Sequence, residues 1–298
     1  MRRLSALLFL LPIGVSSYEV AAHFLVREGV ATPREWDAAA EVVRRGKRPG
    51  DLVVAAPHWI RQTAYMHLGD RIVPLRDAAR ADTSTYRRLW VVSVRGANAP
   101  EAAGRTPEVD QRLGRVRVRR FALPPPANVV HDFLERIGDA RVTLEGTGAA
   151  QACPWTPPGR LRLGRHVCDP RHAWNRVSER VMDDLRHQPR RAIWSHPVRG
   201  KKTVIRFDDV PLGSVLRGYT GLGYEAARLT GDFPPVRLDV FVDDVRQKRV
   251  VHRQRDVWKP FELDTRTERG TRADVRFEVS ARAPGMRHFY FVADTRDP

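Results

Sequence analysis

The sequence is poor in cysteine and lysine, and several common catalytic signatures are missing from it. Only two of its 298 residues are cysteine, and only five of its 52 basic residues are lysine. It contains no H-E-x-x-H zinc motif, Walker motif, kinase signature or G-x-S-x-G nucleophile turn. These absences exclude zincin proteases, P-loop NTPases, protein kinases and hydrolases with a nucleophile elbow. They leave a glycosidase open, because its two carboxylates need not be close in sequence.

The strong positive charge of the chain comes almost entirely from arginine. A formal net charge of +17 is typical of proteins that bind nucleic acid. The arginines, however, are scattered and interleaved with Asp and Glu, and an excess of arginine over lysine is what a GC-rich genome produces. We therefore expect no nucleic-acid partner, and only a general preference for anions such as acidic polysaccharide, phospholipid headgroups or phosphate.

The N-terminus carries the one long apolar run of the chain. Arg2 and Arg3 precede the apolar stretch Leu4–Val15, which is shorter than the ~20 residues needed to span a bilayer. This pattern predicts a signal peptide or an uncleaved membrane anchor over residues 1–26. Either one places the protein outside the cytoplasm, in the periplasm or on a membrane facing outward. The alternative is a buried N-terminal helix of a cytosolic protein.

The two cysteines lie close together in the sequence, at Cys153 and Cys168. In an oxidising compartment we expect them to form a disulfide, which would stabilise the fold by about 3 kcal/mol. A zinc site using His166 and His172 is a second interpretation, but its spacing matches no common ligand set, so no metal site is predicted. Two buried free thiols are the third.

The first half of the chain alternates helices and strands. Thr32 and Glu35 form a capping box at the start of a helix, and Leu52–Ala56 and Leu89–Val94 are apolar runs typical of buried strands. A third strand, "RVRVRRFAL", alternates polar and apolar residues. The order predicts a small α/β (Rossmann-like) domain with a mostly parallel sheet over residues 27–137.

The second half is built from short strands. Nine alternating segments separated by turn residues predict an antiparallel β-sandwich (jelly roll) over residues 138–298. The segment "AWNRVSERVMDDLRH" is its one candidate helix. The fold class is therefore α+β and multidomain, with a small α/β domain followed by a sandwich.

A run near the C-terminus resembles a known group of folds. The segment "VRLDVFVDDVRQKRVVHRQRDVWKPFELDT…ADVRFEVSA" is similar to the later strands of galactose-binding-like and carbohydrate-binding-module jelly rolls. The matching positions are Trp258, Phe261, Asp264 and Thr265. The resemblance covers residues 140–298 and implies a domain that binds a glycan or docks neighbouring domains. The segment "RPGDLVVAAPHW" is similar to small extracytoplasmic α/β segments attached to membrane glycosyltransferases. The whole chain resembles an uncharacterised family of exported bacterial proteins with the same two-part plan.

Aromatic and arginine side chains are the candidate ligand-binding groups. Trp155, Trp174 and Trp194 offer flat faces that suit the apolar faces of pyranose rings, although a tryptophan is more often a core residue. Three arginines alternate along one predicted strand and therefore share a face: Arg115, Arg117 and Arg119. They predict either an anion-binding stripe or a charged edge strand that discourages sheet-to-sheet pairing.

His58 is a further candidate ligand-binding residue because it follows the buried strand Leu52–Ala56. Ligands of α/β sheets bind at this end of the strands. Asp51, His67 or Asp70 would then complete an acid–base pair. The alternative is an ordinary loop histidine.

Acidic residues near strand ends raise the question of a structural calcium ion, the one cofactor that we consider. They are Asp208, Asp209, Asp239, Asp243 and Asp244. Loop carboxylates are calcium ligands, but aspartate is also common in hairpin turns.

These patterns predict an exported cell-envelope protein, a binding or accessory protein whose β-sandwich recognises a glycan or an envelope partner. One alternative is an extracytoplasmic enzyme acting on sugars or phosphoesters, with its site near His58. The other is a purely structural envelope component.

Overall fold

A computed structural model describes residues 12–22, 30–160, 163–231 and 233–297. Residues 1–11 and 23–29, which include much of the predicted leader, lie outside the described residues, and residues 12–22 form a helix, α1. Within the described ranges, no helix combines the length and the apolar character that a bilayer crossing requires. The chain forms two compact units: unit 1 comprises Met1–Pro74 and Tyr86–Leu123, and unit 2 comprises Leu75–Thr85 and Pro124–Pro298.

Besides α1, unit 1 contains two helices and a four-stranded sheet. The elements are α2 (Pro33–Gly46), β1 (Asp51–Ala56), α3 (Arg61–Leu68), β2 (Arg88–Val94), β3 (Val109–Leu113) and β4 (Val116–Ala122). The predicted capping box begins α2, with the Thr32 amide donating to Glu35 Oε2 at 2.6 Å. The helix buries Trp36 and Val43 on one face, as an amphipathic helix does.

The sheet of unit 1 is mixed, in the order β1-β2-β4-β3. Only β1 and β2 are parallel; the other two pairs are antiparallel. The prediction of a mostly parallel sheet is therefore wrong, and the Rossmann-like character is not confirmed. The reason is local: Leu113 pairs with Val116 across a two-residue turn whose Gly114 has a φ of +63°. A turn of this length can only reverse the chain, so β3 and β4 must be antiparallel.

Unit 2 is a β-sandwich, as predicted. Its strands are β5 (Asn128–Asp132), β6 (Arg141–Glu145), β7 (Gln151–Ala152), β8 (Trp155–Thr156), β9 (Arg165–Val167), β10 (Arg176–Asp183), β11 (Pro189–Ser195), β12 (Lys202–Pro211), β13 (Val215–Leu222), β14 (Val236–Val242), β15 (Val245–His252), β16 (Lys259–Asp264), β17 (Arg272–Ala281) and β18 (Phe289–Asp297). The described part of unit 2 has two short helices, α4 (Leu75–Ala78) and α5 (Tyr224–Ala227), the second of which follows β13. An eight-stranded sheet runs β16-β13-β18-β11-β10-β9-β8, with β5 beside β18, and a six-stranded sheet runs β15-β14-β17-β12-β6-β7. Every pairing in both sheets is antiparallel. Their inner faces share one apolar core that includes Ile193, Phe277 and Phe291.

The candidate helix in unit 2 is a strand, so that interpretation is wrong. β10 pairs along its length with β11, from Val177 opposite Ser195 to Asp183 opposite Pro189. Val177 points into the core, while its neighbours Arg176 and Ser178 point to the opposite face of the sheet. Cross-strand packing of the buried residue decides the structure here against local helical preference.

A short segment of the chain, residues 75–85, belongs to unit 2 although unit 1 flanks it on both sides in sequence. It begins with the single-turn helix α4 (Leu75–Ala78). The Ala79 carbonyl accepts a hydrogen bond from the Arg191 amide at 2.7 Å, and the Ala81 carbonyl accepts one from Trp258 Nε1 at 3.0 Å. Residues 75–85 therefore lie against the eight-stranded sheet.

A buried histidine links the two sheets of unit 2. His252 on β15 has no exposed surface, and its Nδ1 lies 3.0 Å from Thr220 Oγ1 on β13. Burial lowers the pKa of His252 from 6.5 to about 4. The ring is therefore neutral in the folded protein at neutral pH.

We expect the chain to lose about 2 kcal/mol of stability through His252 between pH 7 and pH 5. The unfolded chain binds a proton at this histidine near pH 6.5, whereas the folded chain binds it only near pH 4. The contribution to stability is thus complete above pH 6.5 and falls as the pH decreases towards 4. Urea titrations of wild type and His252→Gln at pH 7 and pH 5 measure this loss of stability. Between the two pH values, the variant should lose about 2 kcal/mol less than wild type. The control His172→Gln, at an exposed site, should lose as much stability as wild type does. If His252→Gln also lost as much as wild type, the buried histidine would not be the cause of the pH dependence.

Candidate functional site

An aromatic row crosses the outer face of the eight-stranded sheet of unit 2. Thr220 of β13 faces the other sheet, so its neighbours Tyr219 and Gly221 face outward. Tyr290 pairs with Gly221 and with Trp194, and therefore points outward with them. A Cβ at Gly221 would lie only 2.6 Å from the Tyr290 ring, which explains why this position is a glycine. Large aromatic side chains thus occupy a sheet face that solvent would otherwise cover.

Residues 75–85 cover one end of this aromatic row. Trp258 stacks on Tyr219 with a ring separation of 5.5 Å and on Tyr290 with one of 5.3 Å. The Tyr219 hydroxyl donates to Asp82 at 2.9 Å. Burial, followed by the negative charge of Asp82, raises the pKa of Tyr219 to about 12. This end of the row is closed by residues of unit 2 itself.

The other end of the row reaches solvent at Trp174, which is 41% exposed. Its ring lies 5.0 Å from the His196 ring and 5.7 Å from the His172 ring. His196 in turn lies 5.4 Å from His288, which stacks on the buried Trp194 at 6.0 Å. Two guanidinium groups lie over the Trp194 ring, that of Arg176 at 5.4 Å and that of Arg180 at 5.3 Å. We call this group the Trp174 surface: His172, Trp174, Arg176, Arg180, Trp194, His196 and His288.

The Trp174 surface has positive charge that no carboxylate neutralises. In the part of the chain that the structure describes, neither Arg176 nor Arg180 forms an ion pair. Burial, followed by repulsion from Arg180, lowers the pKa of Arg176, but an arginine stays charged at neutral pH. Burial also lowers the pKa of His196 and of His288, so both rings are neutral at neutral pH. The charge of this surface therefore comes from its two arginines.

Polar nitrogen atoms of the same cluster also lack protein partners. Arg176 Nε, Trp194 Nε1 and His288 Nδ1 are buried and make no hydrogen bond to any described residue. Buried polar atoms are usually paired, because leaving one unpaired costs about 1–3 kcal/mol. A flat exposed ring beside a partly buried set of donors is an arrangement that can recognise a molecule with both an apolar face and oxygen acceptors.

The disulfide is confirmed, with Cys153 and Cys168 joined at an S–S distance of 2.11 Å. Both cysteines are buried. Trp155, a predicted ligand-binding residue, is half-buried, with its ring 4.8 Å from His166 and packed on Gly164. It packs against the core of unit 2, and it is not part of the Trp174 surface.

His58 is exposed in a 3-10 turn, His58–Ile60, directly after β1. Two of the three side chains expected to pair with it are engaged elsewhere. Asp51, at the opposite end of β1, binds Arg88 with an N–O distance of 2.6 Å. His67 Nδ1 lies 2.7 Å from Asp37 Oδ1. The structure does not bring His58, Asp51 and His67 together as an acid–base group.

The three predicted stripe arginines have different environments. Arg115 is exposed and lies 3.4 Å from Glu35, and Arg117 binds both oxygens of Asp110. Arg119 is buried and donates to the Ala97 carbonyl at 2.8 Å. Since β4 lies between β2 and β3, the edge-strand interpretation of these arginines is wrong.

The aspartates considered for calcium accept hydrogen bonds from arginines or a backbone amide. Arg141 and Arg206 donate to Asp208 at 2.6 and 2.9 Å. The other pairs are Asp209 with Arg272, Asp239 with Arg249, Asp244 with Arg276, and Asp243 with the Asp274 amide. Across the described ranges, no three His, Cys, Asp or Glu side chains are grouped so as to hold a metal ion.

Sequence reasoning missed four members of the Trp174 surface, namely Arg176, Arg180, His196 and His288. The alternation in "RVSER" would have suggested that the two arginines share a strand face, had the segment been identified as a strand. Nothing local in the sequence connects His288 with His196, because only the register between β11 and β18 brings them together.

The sequence matches no family model and no curated protein. Structural similarity is found to proteins that contain carbohydrate-binding modules (CBMs). The CBM51-2 and INT domains of ZmpB from Clostridium perfringens, solved with GlcNAc, align with a TM-score of 0.30 at 13% identity, over 40% of this chain and 25% of that one. The tandem CBM51 modules of Sp3GH98 from Streptococcus pneumoniae align with a TM-score of 0.32 at 9% identity, over 62% and 55%. TmCBM61, solved with β-1,4-galactotriose, aligns with a TM-score of 0.25 at 12% identity, over 55% and 91%. The chain spans about a quarter of the ZmpB structure.

Proposed function

We propose that this protein binds glycans through the Trp174 surface of unit 2. The observation that carries the proposal is an exposed tryptophan beside two arginines that have no carboxylate partner in the described structure. A pyranose ring has an apolar face, which suits an indole ring, and a rim of oxygens, which suits guanidinium donors. Both requirements are met within one group of side chains.

The rigidity of the site supports a binding role. Trp194 and Tyr290 are almost fully buried, and both lie on paired strands. Trp194 packs under Arg176 and Arg180 and holds their guanidinium groups in place. A site whose side chains are already positioned loses less conformational entropy when a ligand binds.

The arginines also suggest which glycans should bind most tightly. Arg176 and Arg180 carry two positive charges, and the neighbouring His196 and His288 are neutral at pH 7. A carboxylate on a uronic acid would pair with a guanidinium group, which forms the stronger, charge-assisted class of hydrogen bond. Glycans that contain uronic acid should therefore bind better than neutral ones.

The disulfide supports an exported location for this function. A disulfide of this kind persists in oxidising compartments and is rare in the reducing cytoplasm. The Cys153–Cys168 bond is buried, so it is part of the fold. Polysaccharides of a cell envelope are available outside the cytoplasm, which is consistent with a binding or accessory role there.

Trp174→Ala should weaken glycan binding about tenfold or more, because an exposed aromatic anchor contributes a large part of the energy of such a contact. The full-length protein is first screened against hexose-, N-acetylhexosamine- and uronic-acid-containing oligosaccharides. The best ligand is then titrated by calorimetry. Trp174→Phe should retain part of the affinity, since it keeps a flat ring.

The matched control is Trp59→Ala, which removes a 58% exposed tryptophan from unit 1. It should bind the same ligand as wild type does. Equal affinity of Trp174→Ala and wild type would refute the site. Failure of the wild type to bind any oligosaccharide of the panel would refute the function.

A further inference from the structure

Unit 1 contains a second feature, a cavity rich in arginine at the end of its sheet. The parallel pairing of β1 and β2 places the carboxyl ends of both strands at the same edge. β2 ends at Val94, and the chain turns at Arg95 and Gly96, which have φ values of 53° and 71°. Val94 pairs with Val116 at the start of β4, so the β3–β4 hairpin closes the other side. The cavity between them has a volume of about 460 Å³.

 This 460 Å³ cavity is lined by Val94, Arg95, Gly96, Asp110, Arg112, Arg115 and Arg117.

The lining of this cavity carries four guanidinium groups and one carboxylate. Asp110 is engaged by Arg117, which donates to it from two nitrogens. Arg115 also lies 3.4 Å from Glu35, at the rim of the same hairpin. Across the described ranges, neither Arg95 nor Arg112 forms an ion pair. The cavity is thus left with an excess of positive charge.

The unpaired arginines are held in place by contacts that do not neutralise them. The Arg95 guanidinium lies 5.6 Å from the centre of the exposed Trp59 ring. Arg112 Nε donates to the Gly114 carbonyl at 3.1 Å, which leaves its terminal nitrogens for other partners. Like charges gathered around one cavity repel each other, and an anion between them would remove that repulsion. Guanidinium groups on several sides suit a tetrahedral dianion better than a single planar carboxylate.

We propose that this arginine cavity of unit 1 binds a phosphate group, either as free phosphate or as a phosphomonoester. Arg95 and Arg112 supply the charge that the protein itself does not balance, and Arg115 and Arg117 line the same cavity. Arg119 is not part of the site, because its guanidinium is buried and donates to the Ala97 carbonyl. The site is independent of the Trp174 surface, which lies in the other unit.

The test is calorimetric titration of the full-length protein with inorganic phosphate and, separately, with a hexose phosphate. Sodium chloride holds the ionic strength constant, so that general screening cannot imitate binding. Arg112→Ala should weaken phosphate binding at least about tenfold, because it removes a charged hydrogen-bond donor. Arg112→Lys, which keeps the charge but loses the planar fork, should have an intermediate affinity.

The control is Arg105→Ala, which removes an exposed arginine of unit 1 that does not line the cavity. It should bind phosphate as wild type does, although it lowers the net charge by the same amount as Arg112→Ala. Tighter binding of the hexose phosphate identifies a phosphomonoester as the ligand, and tighter binding of inorganic phosphate identifies the free anion. The proposal is overturned if neither binds to the wild type, or if Arg112→Ala and Arg105→Ala bind equally. Trp174→Ala should leave phosphate binding unchanged, so the phosphate proposal and the glycan proposal are tested independently.

Discussion

Replacing Asp51 with alanine should lower the free energy of unfolding of the chain by about 3–5 kcal/mol. Asp51 is the first residue of β1, and it is only 2% exposed. Its carboxylate accepts hydrogen bonds from Arg88 Nε at 2.8 Å and from Trp90 Nε1 at 2.9 Å, both on β2, and from the Arg48 amide at 2.9 Å. Alanine would remove the counter-charge of Arg88, which would keep only its bond to the Gly46 carbonyl at 3.2 Å, and the side-chain acceptor of the Trp90 and Arg48 donors.

The pKa of Asp51 agrees with this role. Burial alone would raise the pKa of the carboxyl, but hydrogen bonds from Arg88, Arg48 and Trp90 outweigh burial and hold it below its ordinary value. The carboxylate is therefore charged in the folded protein at neutral pH. Its loss removes a charge that the fold requires, and not only a polar contact.

Urea unfolding followed by circular dichroism measures the effect. The matched control is Asp37→Ala on α2, which removes a carboxylate that is 68% exposed and contacts His67. Exposed ion pairs contribute less than about 1 kcal/mol, so this variant should unfold close to wild type. If Asp51→Ala were destabilised no more than Asp37→Ala, the buried network would not be stabilising unit 1.

Removal of the disulfide should cost about 3 kcal/mol of stability. The bond closes a loop with a sequence separation of 15 residues, so breaking it gives the unfolded chain more conformational freedom. The double variant Cys153→Ala/Cys168→Ala removes it without introducing a polar group into the buried site. Its urea-unfolding midpoint should be lower than that of the oxidised wild type.

Reductant supplies the control for this experiment. The chain has no other cysteine, so dithiothreitol should lower the midpoint of the wild type and leave that of the double variant unchanged. Mass spectrometry of the oxidised wild type should find no thiol that an alkylating reagent can modify. Two alkylated cysteines in the unreduced protein, or equal midpoints for oxidised wild type and double variant, would contradict the structural role of the bond.

Features that depend on neighbouring residues could be predicted from the sequence. The capping box of Thr32 and Glu35 needs only the first turn of a helix, and the apolar run Leu52–Ala56 is typical of a strand covered on both faces. The alternating strands of unit 2 follow in the same way from a period of two. The disulfide needed only two nearby cysteines and an oxidising compartment.

Strand direction and segment assignment could not be predicted in this way. The sheet of unit 1 is mixed because β3, which the sequence analysis did not identify, forms a hairpin with β4. β10 is a strand because β11 offers it a partner along its whole length, although the segment has helical character by itself. Residues 75–85 lie in unit 2 because their backbone carbonyls accept hydrogen bonds from Arg191 and Trp258, which are far away in sequence.

The candidate site also has one part that could be predicted from the sequence and another that depends on the tertiary structure. Ligand-binding tryptophans could be suspected from the sequence, but the sequence favoured Trp155, in a loop next to Cys153, over Trp174. The difference is that Trp155 packs on Gly164 beside the disulfide, whereas Trp174 lies at the open end of an aromatic row. That row exists only because the register of β11 and β18 places Trp194 opposite Tyr290.

The sequence by itself determined that Leu52–Ala56 and Leu89–Val94 are buried strands, where the helix α2 begins and which sulfur atoms can join, since each of these depends on periodicity or on residues close in the chain. Tertiary structure alone decided strand order, the placement of residues 75–85 and the environment of the charged and aromatic side chains of the Trp174 surface and the arginine cavity. The physical reason is that a cavity or a binding surface is made by side chains whose separation in space is set by strand pairing, which no local pattern records.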